Sequence, residues 1–331
     1  MTKTALITGI TGQDGSYLAD LLLEQDYKVV GLHRRSSTDN FCRINHLINN
    51  NSQFSLEEFD LTDPSNIAFL INKYQPEEFY NLAAQSHVAT SFKQPSTTFE
   101  INTLGVINIL ESIRSLSSAT KFYQASTSEM FGRNYMVDNY GIRYQDEKTE
   151  LLPQSPYGVS KLASHRMVQL YREGYGLFAT SGILFNHESP RRGENFVTRK
   201  ITKYIGQLIH NKTNESLKLG NLNAQRDWGH AKDYVRAMSM MLQQDEPDDF
   251  VICTGQTWTV LDFVKAAFEY ANLDYTKYVE IDPSLYRPAE VDYLKGKNDK
   301  AKNTLKWTPS ISFEELVKDM VDSDSKVYDY A

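Results

Sequence analysis

Three glycines in the spacing G-x-x-G-x-x-G stand at Gly9, Gly12 and Gly15, directly after the apolar run Thr4 to Thr8. A strand that feeds such a turn and then a helix has few folds to enter. The first glycine permits a tight turn, the second lets backbone approach a diphosphate, and the third lets helix pack on strand. The following helix points its N-terminal amides at the phosphates. The spacing alone also occurs at plain strand–turn–helix corners, but its place after the first strand favours ligand binding. Gly9, Thr11, Gly12, Gln13, Asp14 and Gly15 are the expected phosphate-side residues.

Short apolar runs alternate with amphipathic stretches through the first half of the chain. Strands are expected at Thr4 to Thr8, Lys28 to His33, Phe54 to Asp60, Glu78 to Leu82, Lys121 to Ser126 and Thr180 to Phe185. Helices are expected at Tyr17 to Gln25, Pro64 to Tyr74, Thr97 to Leu116 and Pro156 to Tyr175. This rhythm predicts an α/β fold, a Rossmann-type doubly wound parallel sheet with helices on both faces. After Phe185 the rhythm loosens, and Gly, Asn, Pro and Arg become frequent. A smaller, mostly C-terminal substrate-binding lobe is expected there, with one strand, Asp249 to Thr254, returning to the main sheet. The expected division is residues 1–186 with 231–256 for the cofactor domain, and 187–230 with 257–331 for the lobe. There is no internal repeat.

The chain has 331 residues, of which 40% are apolar, enough for one large domain or two intimate ones. Its formal net charge of −7, mixed in sign along the length, excludes a general nucleic-acid binder but leaves room for a local basic pocket. Cys42 and Cys253 form no C-x-x-C pair, which fits a reducing compartment. Cys42 and His46 have the spacing of one helix face, but no second pair completes a metal site and no metal is expected. No secretory pattern opens the chain, and no apolar run reaches the roughly 20 residues of a membrane span. A cytoplasmic protein without membrane contact is expected.

The second strand ends in His33-Arg34-Arg35-Ser36-Ser37. A carboxylate at this place accepts from a ribose 2′-hydroxyl, whereas guanidinium and hydroxyl groups suit a 2′-phosphate. Arg34, Arg35 and Ser36 therefore predict NADP rather than NAD. Asp60 and Leu61 end the third strand and face the adenine. Leu82, Ala83 and Ala84 end the fourth, where small residues let a ring system lie close to the sheet.

Ser155-Pro156-Tyr157-Gly158-Val159-Ser160-Lys161 reads as a helix start with Ser as N-cap and Pro in the first turn. Tyr157 and Lys161 share one helix face. An ammonium nearby lowers a phenol's pKa, so Tyr157 is a candidate base on a sugar hydroxyl. In a chain with 20 tyrosines the Y-x-x-x-K spacing arises by chance, and its force comes from following the fifth strand. That strand runs into Ala125-Ser126-Thr127-Ser128-Glu129, which offers Thr127 as hydrogen-bond partner of the reacting hydroxyl. Glu129 is a candidate base for the acidic C–H beside a ketone.

With these motifs in order, the chain resembles the GDP-mannose 4,6-dehydratases, of the extended short-chain dehydrogenase/reductase class. The resemblance is carried by Gly9 to Leu18, Arg34 to Ser37, Tyr123 to Glu129, the long run Phe185 to Lys200, Gln225 to Tyr234 and Arg287 to Asp292. It spans residues 4 to 310, and the run from Asn186 to Lys200 is its most specific part. The resemblance implies a hydro-lyase acting on GDP-mannose with a tightly bound, recycled NADP, on the way to GDP-deoxyhexoses. It implies that Thr127, Glu129, Tyr157 and Lys161 are catalytic, and that Tyr157, Lys161, His187 and Arg192 also lie at the cofactor. It implies that Ser86, Asn186, Lys200, Arg226, Arg287 and Glu290 hold the GDP-sugar. It further implies a homo-oligomer, dimer or tetramer, assembled through the arginine-rich loop Arg34 to Arg43.

Taken singly, several of these residues have plainer readings. Arg226 and Asp227 would form a structural ion pair, Asn186 and His187 would terminate a strand, Arg191 and Arg192 would be solvated, and Trp228 is expected in the core. Two departures from the family pattern stand out. Arg133 to Lys148 is a longer polar loop with Tyr135, Tyr140 and Tyr144, expected to cover the sugar or alter a subunit contact. Gly158 and Ser160 stand where alanines are usual. The alternatives left open are another sugar-nucleotide epimerase or reductase of the same fold, which does not need Glu129, and a cofactor-binding regulator without catalysis.

Overall fold

The computed structural model describes residues 2–286 and 291–327. Seven strands form one parallel sheet: β1 Thr4–Thr8, β2 Lys28–His33, β3 Phe54–Glu58, β4 Glu78–Asn81, β5 Lys121–Thr127, β6 Ala179–Leu184 and β7 Phe250–Ile252. Their order is β7-β6-β5-β4-β1-β2-β3, so the winding reverses between β1 and β4. Central strands read as continuous apolar runs because helices cover both faces. On one face lie α1 Gln13–Glu24 and α6 Ala231–Leu242, around Leu18, Leu22, Tyr234 and Met238. On the other lie α2 Pro64–Tyr74, α3 Gly105–Leu116 and α4 Pro156–Tyr175, around Ile67, Ile109 and Val168. A further apolar core joins α5 Val197–Ile209, α7 Val260–Tyr270 and α8 Phe313–Lys326, through Ile201, Phe263 and Leu316. Trp228 belongs to that core, 2% exposed and edge-on to Phe263, as expected.

The expected strands and helices are present, with shifted ends. β3 pairs only with β2, and its ladder stops where β2 stops, at His33 opposite Glu58. Phe59 and Asp60 therefore follow the strand rather than end it. β7 does join the sheet at its edge, beside β6, but is shorter than expected. Asp249 leaves the ladder to accept both Arg172 terminal nitrogens, at 3.0 and 2.9 Å, and the Ser181 amide at 2.9 Å. α1 begins at Gln13, inside the phosphate-loop motif, because Gly12 is its N-cap. The expected helix Thr97 to Leu116 is broken by a π-helical turn, Glu100–Leu104. α4 has the expected bounds: Ser155 Oγ accepts from the Gly158 amide at 3.0 Å, and Gly176 stops it at φ 67°.

Cys42 and His46 do not share a helix face, since residues 42–50 form consecutive turns. His46 Nε2 instead lies 2.7 Å from Asp20 Oδ1. Among the described residues no group of His, Cys, Asp and Glu side chains is placed to hold a metal ion. Among them, too, no helix is long and apolar enough to cross a membrane.

Candidate active site

In an open α/β sheet a ligand sits beyond the carboxyl ends of the strands, where the winding reverses. A cleft of about 770 Å³ occupies that place. Its floor is the turn from β1 into α1. Gly9 has φ 68°, and a Cβ there would meet the Ala83 amide nitrogen at 2.9 Å. A Cβ on Gly15 would overlap the Gly9 carbonyl oxygen. No side chain caps the first amides of α1, so they face the cleft as donors. Thr8 Oγ1 donates to Asn81 Oδ1 at 2.7 Å and accepts the Leu82 and Ala83 amides at 3.0 Å, which ties the ends of β1 and β4 together. The glycines of the turn, the uncapped first amides of α1 and a cleft of this volume suit a dinucleotide.

Most of the expected site residues meet here. Thr11, Gly12, Gln13 and Asp14 line the cleft beside Gly9 and Gly15, as do Arg34 and Ser36, Asp60 and Leu61, and Leu82, Ala83 and Ala84. Thr127, Glu129, Tyr157 and Lys161 line it as well, with Ser86, Asn186, His187, Arg192 and Arg226. Arg35 does not line it. Neither does Lys200, an exposed residue in the first turn of α5. Arg287 and Glu290 lie outside the described residues. The loop from Arg133 to Lys148 contributes no lining residue either. It folds into a hairpin of Met136–Val137 against Arg143–Tyr144, seated on residues 293–297 rather than over the cleft.

Arg43 and Phe196 line the cleft and were not picked out as ligand-binding residues. Arg43 donates from Nε to the Arg191 carbonyl at 2.7 Å, which turns its side chain inward from a loop that reads as a subunit contact. Phe196 belongs to the specific run from Asn186, and Arg192 lies 3.6 Å over its ring. Arg192 Nε is 3.1 Å from Glu188 Oε2, and Arg191 pairs with Asp20 at 2.7 Å and covers the Tyr17 ring. Neither arginine is merely solvated. Asp227 does not depend on an arginine: its carboxylate accepts from the Thr254 amide and hydroxyl and from the Gly255 and Gly296 amides.

Several lining residues are themselves held in place. His187 Nε2 is 2.8 Å from Asp14 Oδ2, its Nδ1 is 2.7 Å from the Phe185 carbonyl, and its ring stacks on Tyr234 at 4.4 Å. Burial disfavours the imidazolium, but Asp14 outweighs it and raises the His187 pKa. Asn186–Glu188 pairs with Trp228–His230, which brings Asn186 and Arg226 to one end of the cleft.

β5 runs out through Thr127 into a single 3-10 turn, Ser128–Met130, that carries Glu129. The Glu129 amide donates to Thr127 Oγ1 at 3.3 Å. α4 lies against this turn, where a Cβ on Gly158 would come 2.9 Å from the Glu129 carbonyl. Glycine in place of the usual alanine permits that approach. Ser160, the other departure, accepts from Asn102 Nδ2 at 3.0 Å through Oγ and from the Thr103 hydroxyl at 2.9 Å through its carbonyl. It thereby docks the π-helical turn on α4, a common use of such turns at functional sites.

One electrostatic expectation fails. Burial pushes the Tyr157 phenol up to about 12, opposed by the Thr127 hydroxyl and reinforced by the charge of Glu129. Lys161, whose Nζ donates to the Ala125 carbonyl at 2.8 Å, does not offset this. Burial lowers Lys161 to about 8, so it is mostly protonated at neutral pH.

The family model described as "GDP-mannose 4,6 dehydratase" matches residues 6–320. A GDP-mannose 4,6 dehydratase of Arabidopsis thaliana is 51% identical, over 97% of this chain and 87% of that protein. The human GDP-mannose 4,6 dehydratase is 47% identical, over 97% of this chain and 91% of its own. A dTDP-glucose 4,6-dehydratase from Bacillus anthracis in complex with NAD shares the fold, with a TM-score of 0.85 at 19% identity over 99% of this chain and 98% of that one. Together with the order of its cleft motifs, these matches place the chain in the GDP-mannose 4,6-dehydratase family.

Proposed function

We propose that this protein converts GDP-D-mannose to GDP-4-keto-6-deoxy-D-mannose with a bound nicotinamide dinucleotide that is regenerated in every turnover. The observation that carries this reading is Glu129 lining the same cleft as Thr127, Tyr157 and Lys161. An epimerase or reductase needs the tyrosine and the lysine but not that carboxylate. The cofactor, when bound, supplies hydride acceptance at sugar C4 and hydride return at C6.

The chain's own groups do the rest. Tyr157 removes the C4 hydroxyl proton as its phenolate, a form that positive charge in the filled cleft has to favour over the buried phenol, while Thr127 hydrogen-bonds the same oxygen. The ketone formed acidifies C5–H; Glu129 takes that proton and gives it to the departing C6 hydroxyl, which leaves as water. Once hydride has returned to C6, the C5 carbon is reprotonated with the proton that Tyr157 took, which restores both side chains. Lys161 keeps a positive charge beside the reacting oxygen. Arg226 and Asn186 bind the GDP-sugar, with Ser86 at the hexose and Arg287 and Glu290 completing the nucleotide side. His187 and Arg192 order the cofactor. We assign residues 1–186 and 231–256 to cofactor binding, and 187–230 and 257–331 to the GDP-sugar lobe. The exposed loop from Arg34 to Arg43 supports assembly into a dimer or tetramer.

Purified protein given GDP-mannose and catalytic NADP⁺ is expected to yield a sugar nucleotide lighter by one water, with no stoichiometric reduced cofactor. Absence of that product would overturn the assignment. Run against pH, the same assay should lose rate as pH rises through about 8, where Lys161 gives up its proton. The sign follows from the cation being the active form of Lys161. A rate unchanged well above that pH would remove Lys161 from the charge-bearing role.

The cofactor is read as NADP because Arg34, Ser36 and Arg43 line the end of the cleft beyond β2. A guanidinium–phosphate contact is worth about 1.5–3 kcal/mol. Arg34→Asp should therefore cut the preference for NADP over NAD by about ten- to a hundredfold in paired binding titrations. Equal weakening of both dinucleotides would refute a 2′-phosphate contact at Arg34.

A further inference from the structure

Gln145 is polar and fully buried, at 0% exposure, yet it lies outside the cleft. A buried amide is retained only when its groups are paired. Its backbone amide donates to the Lys295 carbonyl at 2.8 Å, and its carbonyl accepts from the Lys297 amide at 2.9 Å. Its side chain reaches two separate segments. Oε1 accepts from the Lys295 amide at 3.0 Å, and Nε2 donates to the Asn134 carbonyl at 3.1 Å.

Each segment leads to a different part of the site. Asn134 closes the turns that begin at Ser128 and carry Glu129: the Phe131 amide donates to the Ser128 carbonyl at 3.0 Å, the Gly132 amide to the Glu129 carbonyl at 3.3 Å and the Asn134 amide to the Phe131 carbonyl at 3.0 Å. Residues 292–296 are stitched to the strand that carries Arg226. The Gln225 amide donates to the Asp292 carbonyl at 2.8 Å, the Leu294 amide to Gln225 at 3.1 Å, and the Gly296 amide to Asp227 Oδ2 at 3.2 Å. This second segment has little room to move, since a Cβ on Gly296 would overlap Cys253. The hairpin adds one more tie, from the Tyr293 hydroxyl to the Arg143 carbonyl at 2.8 Å.

We propose that Gln145 is a positioning residue that couples the segment anchoring Arg226 to the placement of Glu129. One rigid amide sets the distance between the group that grips the nucleotide sugar and the base that acts on its C5. The longer hairpin of this chain is the element that delivers that amide. The inference rests on the dehydratase reading above.

The test is single-turnover kinetics on GDP-mannose, following reduced cofactor and loss of water together. Displacing a reacting group by about 1 Å costs on the order of a hundredfold. Gln145→Leu, which keeps the volume and removes both side-chain bonds, should slow water loss by about tenfold or more. C4 oxidation should persist, so that reduced cofactor accumulates transiently. Gln145→Glu supplies the donor to Asn134 only while protonated. Its accumulation of reduced cofactor should therefore vanish in acid and grow as pH rises. Tyr293→Phe, which leaves the core intact, should raise the KM for GDP-mannose with kcat held. Wild-type partitioning in Gln145→Leu would overturn the coupling. So would a loss shared equally by oxidation, water loss and NADP binding, with Tyr293→Phe unaltered. Wild-type protein that does not turn over GDP-mannose would instead overturn the dehydratase reading and, with it, the proposal.

Discussion

Glu129→Gln is expected to bind GDP-mannose and NADP as tightly as the parent protein and to form dehydrated product about 10²- to 10⁴-fold more slowly, the usual contribution of a positioned acid–base group. The substitution keeps the shape of a side chain set by its 3-10 turn and removes its basicity and its negative charge. The turn depends on main-chain bonds, from the Glu129 amide to Thr127 and from the Gly132 amide to the Glu129 carbonyl. Neither is lost in the amide variant, so the turn is expected to persist. The diagnostic is partial chemistry: C4 oxidation continues, and reduced cofactor accumulates with GDP-4-ketomannose. Mass spectrometry of the sugar nucleotide, read with the absorbance of the reduced ring, separates the steps. Product at the parent rate would take the base role away from Glu129 and return weight to an epimerase.

The second large effect is at Gly15. An alanine methyl there would overlap the Gly9 carbonyl oxygen and lie 2.7 Å from the Ile10 Cα. Both obstacles are backbone atoms of the turn that faces the diphosphate. No rotamer change relieves them, so the turn itself must open. Overpacking of this kind costs about 1–3 kcal/mol in stability. Cofactor affinity is expected to fall by about a hundredfold, or roughly 2.7 kcal/mol. Gly174→Ala is the matched control: it lies near the end of α4 with nothing within 4 Å of the added methyl. It should leave affinity unchanged and stabilise the helix by up to about 1 kcal/mol. Titration of the reduced cofactor by fluorescence, with a melting curve for each variant, checks the pair. Unimpaired binding by Gly15→Ala would mean that the ligand does not lie against this turn.

The comparison of Tyr157 and Ser155 shows how far local spacing reaches. Ser155 caps α4 as its sequence predicts, because a cap is a bond between residues three apart and needs no neighbour. Tyr157 and Lys161 share a helix face for the same reason. Their electrostatics do not follow from that spacing. Burial of the phenol reverses the expected direction, and that burial depends on β5 lying against α4. Arg34 and Arg35 differ in the same way: adjacent in the chain, only the first lines the cleft.

The amino-acid order by itself determined the alternation of strands and helices, the phosphate turn, the start and stop of α4, and the set Thr127, Glu129, Tyr157 and Lys161. Hydrophobic period, glycine spacing and capping are short-range physics, legible in any window of the chain. Only the tertiary structure decided that β7 closes the sheet beside β6, that Pro95 to Leu116 is broken by a π-helical turn docked on Ser160, and that Arg43 turns into the cleft. It alone brought Gln145 between Asn134 and Lys295. Those outcomes are pairings of polar groups far apart in sequence, selected because burial leaves no water to satisfy them otherwise.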